Sequence, residues 1–284
     1  MKRSIAWVLC FVALSAHSQN FFSWQYNDRY YSVTAGTGMT QYFGELKDDY
    51  RIRRRLSHAS LGVEARLLSQ VGARAEFIYY NLKGDDRDAA DSSFARQRNL
   101  RFESQNFELN LQGILYLKKY RGNFHKRVAF DPYMGLGIAV TSFNPKTDLD
   151  TVDYVLRDFE TEGVSYGRFA LAIPLSFGVK LRLNEFINFN VELGYRYTFT
   201  DYLDDVSTTF IEEDGSIASR LSNRKRETRI NGELAIINQE HFDAMVAGAP
   251  RGEPGNNDSY LFAMFKLEVF LPGSGPLWKK PSAY

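Results

Sequence analysis

From Ile187 to Phe199 the odd positions are Ile187, Phe189, Val191, Leu193, Tyr195, Tyr197 and Phe199, and the even ones are Asn188, Asn190, Glu192, Gly194, Arg196 and Thr198. A period of two sustained this long fixes a β-strand with one apolar and one polar face. Soluble sheets rarely carry so long and uniform an apolar face with Tyr and Phe gathered at its end. A strand that crosses a bilayer needs both features, because residues facing lipid alternate with residues facing the lumen and aromatic girdles sit at the interfaces. The rest of the chain is read against that expectation.

The N-terminus has the layout of a secretory signal over residues 1–18: Lys2 and Arg3, an apolar run from Ile5 to Leu14, then Ala16-His17-Ser18 as a small-x-small cleavage site. The run is too short to span a bilayer as a helix. Cys10 is the sole cysteine and lies within this signal, so the mature chain is expected to hold no disulfide, thiolate nucleophile or cysteine metal ligand. No other stretch offers eighteen consecutive apolar residues. An exported chain without membrane helices but with two-faced strands is expected in an outer membrane. A net charge of +1 argues against a nucleic-acid partner, and an aromatic content of 15% suits two girdles.

Residues 19–30 read as a periplasmic lead-in and 31–270 as the barrel. Its strands are expected at Tyr31–Phe43, Ser57–Leu67, Val71–Asn81, Phe102–Lys118, Phe130–Thr141, Arg168–Leu183, Ile187–Phe199 and Ser259–Phe270. Pro174 lacks an amide hydrogen and predicts a local bulge in the sixth. The charged stretch Leu82–Arg101 reads as a loop. Connections are long after strands one, three, five and seven and shorter after two, four and six, the pattern of an all-β, eight-stranded antiparallel transmembrane barrel with long outer loops and short periplasmic turns. The longest loop, 200–258, carries helical spacing at Ile230, Leu234, Ile237 and His241. Residues 271–284 form a periplasmic tail.

Eight strands enclose a lumen that side chains can fill. The inward positions carry Glu64, Glu76, Glu108, Asp131, Glu192 and Glu268 against Arg66, Arg74, Lys180, Arg182, Arg196 and Lys266, a balance that predicts a cross-linked plug of ion pairs without conductance. Enzyme chemistry is not expected: Ser57 and His58 are neighbours and so point to opposite faces, and His125 and His241 have no spaced partner. Asp201, Asp204 and Asp205, with Glu212, Glu213 and Asp214 beyond, lack the spacing of a helix-loop-helix calcium site. The basic run Arg220, Arg224, Lys225, Arg226 and Arg229 instead predicts a charge-balanced loop. No cofactor or metal is expected. Arg51, Arg53, Arg54 and Arg55 are placed at the outer rim, against anionic head groups of outer-membrane lipid.

Several phrases resemble one known family. DYLDDVSTTF (Asp201 to Phe210), FDPYMGLGIAVTSFNPK (Phe130 to Lys146), YFGELKDD (Tyr42 to Asp49) and NLRFESQNFEL (Asn99 to Leu109) look like the PorG barrels of the type IX secretion system of Bacteroidetes. The resemblance spans nearly the whole mature chain, and its specific part is the motif Asp201, Tyr202, Asp204, Asp205, Ser207, Thr208 and Thr209. It implies a non-enzymatic component that links a periplasmic ring, built from PorK- and PorN-type subunits, to the outer membrane. For such a partner the sequence offers a basic periplasmic turn, Lys118, Lys119, Arg121, Lys126 and Arg127, and an apolar anchor in the tail, Leu277 and Trp278.

Overall fold

The computed structural model describes residues 30–46, 56–90, 93–119, 127–230 and 233–271. The signal, most of the lead-in, the Arg51 to Arg55 cluster, Arg121, Lys126 and the tail with Leu277 and Trp278 lie outside the described residues.

Twelve strands are described: β1 (Tyr30–Phe43), β2 (His58–Arg66), β3 (Val71–Asp85), β4 (Arg101–Tyr116), β5 (Phe130–Ser142), β6 (Lys146–Leu149), β7 (Val152–Val155), β8 (Phe169–Arg182), β9 (Ile187–Thr198), β10 (Arg229–Ile230), β11 (Glu233–Leu234) and β12 (Ser259–Phe270). Eight of them form one antiparallel sheet in the order β3-β2-β1-β12-β9-β8-β5-β4, and β3 pairs back onto β4 to close it. Closure leaves the eight strands no free edge, which backbone groups in hydrocarbon require. Short connections lie at the end of the barrel that holds Arg66, Val71 and Phe270; long ones lie at the other.

Burial alternates along the strands as the period of two dictates. β2 reads buried-exposed from His58 onward, and β4 hides every even position from Phe102 to Tyr116. The outward set is apolar: Leu61, Leu109, Leu136, Ile138, Phe169 and Leu171 are each 58–70% exposed. No water-soluble monomer sustains such a belt around its circumference, so the barrel sits in a membrane, the bacterial outer membrane. Aromatic pairs reinforce the belt toward its outer rim: Phe77 stacks on Phe107 at 5.8 Å, and Tyr197 meets Phe199 edge-on at 5.6 Å.

Four expectations are corrected. β3 runs on to Asp85, because pairing with β4 continues to Asp85↔Arg101 and Lys83 bonds Glu103 at 2.5 Å, so the charged stretch read as loop begins as strand. The remainder holds a 3-10 turn at Asp86–Asp88 and a short helix at Phe94–Arg98, capped by Ser93. Pro174 makes no bulge. The β5–β8 ladder lapses between Leu136↔Leu175 and Ala139↔Ala172 and resumes in the same register. Among the described residues, loop 200–258 holds α-helix at Ile217–Ser222 and Gln239–Ala244 and a 3-10 turn at Lys225–Glu227; His241 is therefore helical, but Ile230 and Leu234 lie in the small β10–β11 hairpin.

Candidate functional site

The inward charges meet in the middle of the barrel. Arg74 reaches Glu64 at 2.9 Å, Glu192 at 2.5 Å and Glu76 at 3.7 Å. Lys266 bridges Glu76 (2.6 Å) and Glu192 (3.1 Å), while Lys180 joins Glu268 (2.9 Å) to Glu64. Toward the periplasm Arg66 pairs with Asp131 at 2.9 Å and lies over the Tyr116 ring. Toward the outside Arg196 pairs with Glu108 at 3.0 Å, and Tyr260 donates to the same carboxylate at 2.8 Å. Each of these ions is at most 4% exposed. Arg182 is the exception and corrects its assignment: at the end of β8 its side chain is exposed and donates to the Arg127 carbonyl at 2.7 Å. It lies beyond the sealed section, where the alternation gives way to the turn.

Above the ionic layer the lumen turns apolar. Ile78, Tyr80, Leu82, Tyr260 and Phe262 fill it, with Tyr80 stacked on Tyr260 at 4.9 Å. The outer loops continue this core and roof the mouth, contributing Leu46, Leu100, Phe143, Leu149, Leu203, Val206 and Leu221.

The motif that singles out this sequence lies in that roof. Asp205 is 1% exposed with φ +71°, a left-handed backbone seldom adopted by a non-glycine residue. Its carboxylate holds the conformation by accepting from Thr161 (2.5 Å) and Tyr166 (2.6 Å) and meeting Arg251 at 3.4 Å. Arg251 also binds Glu162 at 2.8 Å, and Glu162 receives the amides of Ser207 (3.0 Å) and Thr208 (2.8 Å) and the Thr208 hydroxyl (2.7 Å). Burial opposes ionisation of Glu162, yet Arg251 and these donors outweigh it and hold its carboxyl below the usual range. Tyr202 stacks on Tyr166 at 4.7 Å, and Thr209 bridges to Pro250. The conspicuous motif is therefore a clasp, joining the start of loop 199–258 to its end and to the loop after β5. Arg251 and Glu162, which complete it, stand far away in sequence and carried no local signal. In the basic run Lys225 and Arg226 pair with Glu213, as a charge-balanced loop predicts, whereas Arg224 pairs with Glu227 and Arg220 with Asp150.

A second group of acids, two of them from the motif, has no ion pair among the described residues. Asp201 Oδ2 accepts from Ser207 (2.7 Å) and the Gly255 amide (3.3 Å); Asp204 accepts from the amides of Leu46 (3.2 Å) and Val206 (2.9 Å). Asp258 accepts from Tyr42 (2.5 Å) and the Leu203 amide (2.8 Å). Glu45 joins them from the loop after β1, brought in at Gly44, where a Cβ would stand 1.8 Å from the Tyr42 hydroxyl and 2.1 Å from Asp258 Oδ1. Burial, with the charges of Asp204 and Asp201, pushes the Glu45 carboxyl up to about 8. Burial likewise raises Asp204 to about 7, and burial with the charge of Asp204 lifts Asp258 well above its ordinary value.

The histidines form no catalytic pair. His58 is 4% exposed against the Phe262 ring, whereas the Ser57 hydroxyl accepts from the Thr40 amide. His241 sits beside Phe94 at 5.8 Å, and His125 lies outside the described residues. Of the expected basic periplasmic edge, Lys118 and Lys119 are exposed. Arg127 is not part of it: it is 5% exposed, covers the Phe270 ring at 3.7 Å and donates to the Glu185 carbonyl at 2.9 Å, so it closes the barrel floor.

A family model described as "Domain of unknown function (DUF6089)" matches residues 21–218. No curated protein matches the sequence. Among solved structures, a major outer membrane protein from Thermus thermophilus is 14% identical with a TM-score of 0.42, covering 86% of this chain and 99% of its own. Neisserial surface protein A is 9% identical at 0.35, covering 86% and 97%. The outer membrane enzyme PagL is 10% identical at 0.31, covering 84% and 98%.

Proposed function

This chain belongs to the family described as a domain of unknown function (DUF6089), and we propose that it serves, without enzymatic activity, as an outer-membrane component of a type IX secretion machine that links a periplasmic ring to the membrane. The observation that carries this reading is the sealed lumen. Arg74, Lys266 and Lys180 are each tied to two or more carboxylates, an aromatic layer lies above them, and folded loops roof the mouth. A barrel filled in this way offers solutes no passage and acts through its surfaces, as an anchor does. The motif from Asp201 to Thr209, which resembles PorG, supplies the machine. Ring subunits of PorK and PorN type are the proposed partners, held from the periplasmic side.

The test is recovery of ring subunits with the tagged protein from detergent-solubilised membranes, alongside export of secreted proteins. Loss of both on neutralising Lys118 and Lys119 and truncating after Phe270, with the barrel still inserted, is the expected result. Normal recovery and normal export in that variant would sink it.

A second reading is a stand-alone structural or adhesive barrel whose loops bind an external ligand. The folded roof favours it, since loop 199–258 buries Leu221, Arg224, Met245 and Arg251 instead of trailing as a linker. Normal secretion in a deletion strain that loses a surface-binding phenotype would select this reading.

A further inference from the structure

Outside the membrane, three segments deliver carboxylates to one spot in the roof. Glu45 comes from the loop after β1, Asp201 from the start of loop 199–258 and Asp258 from its end. One oxygen from each lies within 4.8 Å of the other two. Oxygens bound to one ion at about 2.3–2.6 Å lie no farther from each other than about twice that distance, so these three are close enough to share one.

The unused lone pairs give the independent sign of a ligand. Asp201 is 7% exposed, and its Oδ1 is buried with no hydrogen-bond partner among the described residues. Both carboxylate oxygens of Glu45 are likewise buried and make no well-formed hydrogen bond among the described residues, with only the amides of Glu45 and Glu253 near them. Buried polar atoms are nearly always paired, so orphaned acceptors on two members of one carboxylate cluster mark a place where something electropositive belongs. Arg98, the nearby guanidinium, is already committed to Asp86 at 2.8 Å and to the Arg251 carbonyl at 2.6 Å. Asp204 adds a fourth buried carboxylate beside the three.

We propose that Glu45, Asp201 and Asp258 hold a divalent cation of the calcium type, which ties the ends of loop 199–258 to the loop after β1. The donors are all carboxylate oxygens, which select a hard ion over zinc, copper or iron. Ligands drawn from three separate segments of two loops suit the adaptable coordination of calcium better than the strict octahedron of magnesium. The site faces the exterior, where affinities in the range of about 0.1–1 mM serve extracellular calcium modules.

The experiment titrates calcium chloride into the EDTA-treated, refolded full chain in detergent micelles by calorimetry, and follows terbium luminescence excited through tyrosine. Glu45→Gln is the main variant, because its carboxylate makes no side-chain hydrogen bond or ion pair among the described residues; Asp201→Asn is the second, and Asp214→Asn on the exposed loop is the control. One saturable site is expected in the parent and in Asp214→Asn, weakened roughly tenfold or more in Glu45→Gln and Asp201→Asn. Calcium should also slow tryptic cleavage within loop 199–258 of the parent and of Asp214→Asn, and not of the two site variants. Absence of saturable binding to the parent up to about 10 mM calcium, well above the extracellular range, overturns the proposal whatever the variants do. So does unchanged affinity in a Glu45→Gln barrel that keeps its heat-modifiable mobility, since the ion would then sit elsewhere.

Discussion

Two buried collections of carboxylates stand one above the other in this barrel and are built on opposite terms. In the lumen, Glu64, Glu76, Glu192 and Glu268 interleave with Arg74, Lys180 and Lys266, so that each acid meets at least one base. In the roof, Glu45, Asp201, Asp204 and Asp258 gather with hydroxyl and amide donors and no ion pair among the described residues. The first arrangement satisfies itself and serves the fold. The second leaves acceptors open and serves a ligand. Charge density alone does not separate the two; the presence of the opposite charge within bonding distance does.

The largest expected effect tests the lumen side of this contrast. Arg74→Ala removes the base that Glu64 and Glu192 share and leaves only Lys180 and Lys266 among the central acids, and removing one partner of a buried pair costs roughly 3–5 kcal/mol. Urea unfolding of the refolded barrel should show it; a midpoint equal to the parent would mean that water already enters the lumen. Next, Leu136→Arg places a charge on the lipid face at a position 60% exposed and central in β5. A cost of about 2–4 kcal/mol is expected in vesicles, because the midplane tolerates such a charge poorly. Unchanged stability there would place Leu136 away from the bilayer core.

Arg251→Ala sharpens the comparison from the roof. It removes the base shared by Glu162 and Asp205 and is expected to cost about 2 kcal/mol, confined to the clasp. Trypsin should then cut loop 199–258 while the barrel keeps its unfolding midpoint. A matching fall in the barrel midpoint would show that roof and barrel unfold as one unit. The smallest effect belongs to Arg226→Gln, whose pair with Glu213 is largely exposed, and at most a few tenths of a kcal/mol is expected there.

The strands were readable because the bilayer imposes a local rule. Ile187, Phe189, Val191 and their successors must meet lipid while their neighbours meet the lumen, so each strand announces itself within its own residues. β12 begins at Ser259 and ends at Phe270 as the alternation predicts. Where the rule lapses, the reading erred. Beyond Asn81, β3 continues as Leu82, Lys83, Gly84 and Asp85, where the outward positions are charged and not apolar, and pairing with β4 keeps them extended. Arg182 and Arg127 continue the sequence pattern of lumen and edge, yet the turn between β8 and β9 exchanges their places.

By itself the sequence determined the number of barrel strands, their two faces, the side that bears the long loops and the balanced sign of the lumen charges. Each of these follows from near neighbours and from the solvent on either side. Tertiary structure decided which acid meets which base. Arg74 and Glu192 are 118 residues apart, and Glu45 and Asp258 are brought together only by closure of β1 against β12 and the narrow passage at Gly44. Pairing across a barrel depends on register and on the shape of the loops, and a side chain's partner from another strand leaves no mark in its own stretch of sequence.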